Sequence, residues 1–81
     1  MSTSPHTPDA EIGGKITNAL VVKGTNAKAL SDATGIAYPT LRRSLSGGRS
    51  LTIRELTSIA EALKILPSAL LPDALTHQEA A

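Results

Sequence analysis

A chain of 81 residues with no Cys, no Trp, no Phe and a single Tyr supports one small domain with an aliphatic core. It excludes a disulfide framework and a thiolate metal site. The formal net charge of +1 conceals a central surplus: all eight basic residues fall within residues 15–64, where Asp32, Glu55 and Glu61 are the only acids.

Residues 1–8, MSTSPHTP, are small, polar and proline-punctuated, and are expected to form a disordered leader. His6 is read as solvated, and the leader has no Lys or Arg with which to grip a polyanion. A first helix is predicted to begin between Thr7 and Asp9, with Pro8 suited to a first turn and Asp9 and Glu11 placed to favour the macrodipole. Ile12, Ile16 and Leu20 mark one face. Gly13 and Gly14 are expected to weaken the early turns, so that the firm helix starts near Lys15, and Gly24 is the stop.

Thr25 or Asn26 caps a second helix running to about Ala33. Thr34-Gly35-Ile36 is the turn; Gly35 supplies a positive φ and Ile36 plugs the angle between helices. A third helix is predicted over about residues 38–46. Pro39 takes its first position and Tyr38, which precedes a proline, is the cap. Leu41 and Leu45 face inward, while Tyr38, Thr40, Arg42 and Arg43 face out.

Gly47-Gly48-Arg49-Ser50 forms a loop whose glycines allow close approach to a sugar-phosphate strand. It lacks the G-x-x-x-x-G-K-[ST] spacing of a nucleotide-binding loop. Thr52 and Glu55 form a capping box for a fourth helix, Ile53–Leu63, striped by Ile53, Leu56, Ile59, Ala60 and Leu63. Pro67 opens a short fifth helix, ended by Pro72 or followed by a last weak turn through Leu75. Residues 73–81 form a polar tail in which His77 is solvated.

The spacing of Leu30, Gly35, Ile36 and Leu41, then the glycine loop, then SLTIRELTSIAEALKI, resembles the helix-turn-helix domain of the lambda-repressor and Cro family. The resemblance, of the xenobiotic response element type, covers roughly residues 15–71. Against the family pattern, Ser31 stands where Ala is usual, and Thr34 and Ser44 where apolar residues are usual; Leu45 is expected to supply the packing that Ser44 does not. The resemblance implies an all-α, compact five-helix DNA-binding domain over residues 9–72. It would be a small phage or bacterial regulator whose third helix enters the major groove.

Carried over residue by residue, it places Tyr38, Pro39, Thr40, Arg42 and Arg43 at base edges, and Asn26, Lys28, Arg49, Ser50 and Thr52 at phosphates. The partner this implies is a double-stranded DNA operator, and the apolar residues 66–75 are the expected pairing surface of a weak homodimer. Neither cofactor nor metal is expected, because the histidines have no companion ligands and no nucleophile pairs with a base. The apolar runs are too short for a membrane span and no signal peptide is read, so a cytoplasmic protein is expected. An antitoxin-type autorepressor and a helical protein-interaction module without specific DNA binding are the alternatives.

Overall fold

In the computed structural model, residues 8–71 are described, and among them there is no strand. Four α-helices, α1 (Pro8–Val22), α2 (Ala27–Thr34), α3 (Tyr38–Leu45) and α4 (Ile53–Leu63), are followed by a single 3₁₀ turn, Pro67–Leu70. The leader and tail expectations, both histidines and Leu75 lie outside the described residues.

Each element contributes to one aliphatic core: Ile16 and Leu20 from α1, Leu30 from α2, Leu41 from α3, four residues of α4, and Leu70. α1 lies against α3, α2 bridges α3 and α4, and the 3₁₀ turn closes over α4 and α1.

α1 is continuous from Pro8 and is not interrupted before Lys15. The expected weak turns are held because Gly13 is where α1 meets α3: a Cβ there would fall onto the Leu45 carbonyl. The missing side chain is therefore a packing requirement. The helix ends with the Thr25 amide donating to the Leu20 carbonyl at 2.9 Å and the Gly24 amide to Val21 at 3.1 Å, a Schellman closure.

Asn26, not Thr25, caps α2: its Oδ1 accepts from the Ala29 amide at 2.9 Å. Gly35 adopts φ 80° and donates to Ser31, ending the helix as expected. The polar departures at Ser31 and Thr34 are satisfied within this turn. Ser31 Oγ donates to the Ile36 carbonyl at 2.6 Å, and Thr34 Oγ1 donates to the Leu30 carbonyl at 2.8 Å.

The α3 cap differs by one residue from the expectation. Ala37 is the cap, Tyr38 is the first helical residue and Pro39 the second. The first four amides of a helix have no intrahelical acceptor, so a proline costs no hydrogen bond at either position. The inward face also differs, since Ser44 is 1% exposed while Leu45 is only partly buried.

The bounds of α4 and its capping box stand as expected. Its stripe begins at Leu56; Ile53 is 75% exposed, because the first turn overhangs the core. The expected fifth helix is reduced to one 3₁₀ turn. Pro67 opens it, and Leu71, which precedes Pro72, is turned out to φ −76°, ψ 151°.

Candidate nucleic-acid interface

The exposed side of α3 presents Pro39, Arg42 and Arg43, with Thr40 half-buried and Tyr38 at the edge, 37% exposed. Leu41 behind them is fully buried and fixes which way this face points. α3 carries no acidic residue. Among the described residues neither arginine is ion-paired, and the Arg43 guanidinium has no hydrogen-bond partner. Cations held in water without acids nearby remain available to a polyanion.

Lys28, on the exposed side of α2, belongs to the same face: its Nζ lies 6.0 Å from the centre of the Tyr38 ring. Arg42 flanks the ring on its own helix, its Cζ 5.9 Å from the centre, and its Nη1 donates to the Tyr38 hydroxyl at 3.2 Å. Asn26 joins through a shallow groove bordered by Thr17, Val21, Asn26, Arg42, Leu45 and Ser46. Eight of the ten residues expected to meet DNA (Tyr38, Pro39, Arg42, Arg43, Lys28, Asn26, Ser50 and Thr52) are exposed, and Thr40 and Arg49 are half-buried.

Arg49, Ser50 and Thr52, also expected at phosphates, make hydrogen bonds within the protein, Ser50 and Thr52 while remaining exposed. Arg49 donates through Nη2 to Glu55 Oε2 at 2.9 Å and through Nη1 to Ser44 Oγ at 2.9 Å. Ser44 Oγ in turn donates to the Thr40 carbonyl at 3.2 Å. Glu55 Oε1 accepts from the Thr52 amide at 2.9 Å, while Thr52 Oγ1 accepts from the Glu55 amide at 3.0 Å. Ser50 Oγ donates to Asp9 Oδ2 at 2.8 Å, and a phosphate approaching it would meet that carboxylate.

Sequence reasoning missed this network. Its signal was Ser44 standing in an apolar position with an arginine five residues on. The hydrogen bond from Arg49, followed by that from the Thr52 amide, holds the Glu55 carboxyl below the usual carboxylate range.

The two loop glycines differ in what they face. Gly47, at φ 86°, faces α1, and a Cβ there would stand 3.0 Å from the Ala10 Cα. It seats the loop on the protein, so only Gly48 remains open on the outer side.

Among the described residues no group of three or more His, Asp or Glu is arranged to hold a metal ion. None of their helices is long and apolar enough to cross a membrane.

Two helices set across a glycine turn, the second presenting arginines outward, have a helix-turn-helix fold. The chain matches no protein-family model and no curated protein sequence. Among solved structures it is similar to the restriction-modification controller protein C.AhdI from Aeromonas hydrophila, with a TM-score of 0.73. The likeness covers 76% of this chain and 94% of that one at 21% sequence identity, and is a likeness of fold.

Proposed function

We propose that this chain is a transcription regulator that binds double-stranded DNA with sequence preference, laying α3 in the major groove. The observation that carries the reading is the acid-free outer face of α3, where Arg42 and Arg43 stand exposed beside Lys28 of α2. Arginine's fork matches the O6 and N7 acceptors of guanine, and Pro39, having no donor, suits an apolar contact such as a thymine methyl. In this reading Tyr38, Pro39, Thr40, Arg42 and Arg43 face base edges, while Asn26 and Lys28 meet phosphate. Arg49 instead ties α3 to α4, Ser50 joins the loop to Asp9 of α1, and Thr52 caps α4.

The mode we propose is repression by occupancy of an operator near the chain's own gene, a mode that asks only for tight, selective binding. The controller protein with the similar fold regulates a restriction-modification system by its description, and gene control is the part of that role proposed here. A nuclease footprint on DNA flanking the gene tests the proposal. Protection of a discrete site is expected; a shift indifferent to sequence, or none, would sink it in favour of a protein-interaction module.

A further inference from the structure

Arg42 and Arg43 are neighbours on the same exposed face, yet their surroundings differ. Arg43 has no side-chain partner among the described residues. Arg42 is held twice by Tyr38, one helical turn before it: its guanidinium lies 5.9 Å from the ring centre and its Nη1 donates to the phenolic oxygen at 3.2 Å. Lys28 reaches the same ring from α2, at 6.0 Å. The ring therefore has two cations close to it, and its negative face attracts both.

Resting on the regulator reading above, we propose that Tyr38 is a positioning residue for Arg42. It sets that guanidinium for bidentate contact with a guanine, so that discrimination at one base pair depends on the pair of residues together. A long arginine free in water loses rotamer freedom when it docks; one already held against a ring and a hydroxyl loses less. Discrimination by Arg43 has no such support and is independent of Tyr38. Removing the ring would take away both holds on Arg42 and let its guanidinium swing aside.

The test is a gel-shift series at fixed salt on the preferred duplex, on each single-base-pair variant of it, and on random duplex. Tyr38→Phe keeps the ring and loses the hydroxyl; it is expected to reduce discrimination at one base pair about 3-fold. Tyr38→Ala should reduce it about 10-fold at the same base pair, approaching the loss in Arg42→Ala. Binding to random duplex should change less than about 2-fold with Tyr38→Phe, because no phosphate-facing charge is lost. Arg42→Lys, which keeps the charge but not the fork, should retain random binding and lose the base preference.

In an Arg42→Ala background, Tyr38→Phe should have no further effect on discrimination. An undiminished effect there, or one at a different base pair, would overturn the proposal by showing that Tyr38 acts on DNA by itself. Wild-type protein that prefers no duplex would overturn the regulator reading and this inference together. Selective binding without coupling between the two residues would overturn this inference alone.

Discussion

Gly13 and Gly14 are adjacent in sequence and have opposite requirements. A Cβ on Gly14 would meet nothing within 4 Å, whereas one on Gly13 would strike the Leu45 backbone. Alanine at Gly14 should therefore stabilise the fold by up to about 1 kcal/mol through helix propensity. Alanine at Gly13 should cost about 1–3 kcal/mol through overpacking. Thermal melts of the two variants check this, and equal shifts would mean that α1 does not approach α3 as described. Lys64 offers a third test, since it ends α4 at φ 60° with a side chain that disfavours that region. Lys64→Gly should gain about 0.5–1 kcal/mol, a rise of several degrees in Tm.

At this scale the sequence was legible where a residue has one physical use. Gly35 was read correctly as the turn residue because only a positive φ ends α2 so sharply. Gly13 was misread as a weakness, and the seat of Gly47 on Ala10 was not foreseen, because the backbone each one meets is distant in sequence. Ser44 could not be understood until Arg49 was seen to reach it.

Between elements, the Ser44–Arg49–Glu55–Thr52 chain of hydrogen bonds ties the C-terminal half of α3 to the first turn of α4. The Glu55 carboxyl is lowered chiefly by Arg49 and then by the Thr52 amide. A carboxyl lowered on folding adds stability above its unfolded pKa, and that stability is lost as pH falls through the folded value. Glu55→Gln should therefore be less stable near neutrality and show a shallower loss on acidification from about pH 5 downward. Urea midpoints measured against pH check it; parallel curves for the two proteins would exclude a part for Glu55.

Arg49→Ala should lower the melting temperature in the same way. Lys28→Ala, by contrast, should leave the fold intact and reduce the salt slope of DNA binding by about one. A reversal of those two results would restore Arg49 as a phosphate contact. The capping box and the bounds of α4 were legible because they are local patterns. The exposure of Ile53 and the inward turn of Ser44 were not, since packing against other helices sets which residues a stripe presents inward.

For the whole molecule, Leu41 is fully buried where α3 joins the shared core, and Leu41→Ala should cost about 2–5 kcal/mol. Of the leucines expected to pair two chains, Leu70 is in the core and Leu71 is partly buried, while Leu66 is 73% exposed. A weak dimer that tightens on DNA is still our proposal, with Leu66 as its apolar contact among the described residues. Its operator would be an inverted repeat with half-sites about one helical turn apart. Sedimentation of the free protein and of the complex decides this; one chain on a site without two-fold symmetry would exclude pairing.

Tyr38 has a consequence for how the protein can be watched. It is the only aromatic residue of the chain, and it sits on the face proposed to meet DNA. Its ultraviolet emission therefore reports on that surface. Quenching of unlabelled protein on addition of duplex should follow occupancy of the site, with no dye attached. The same placement leaves the aliphatic interior without a chromophore of its own, so loss of the core is best followed through the helical backbone signal.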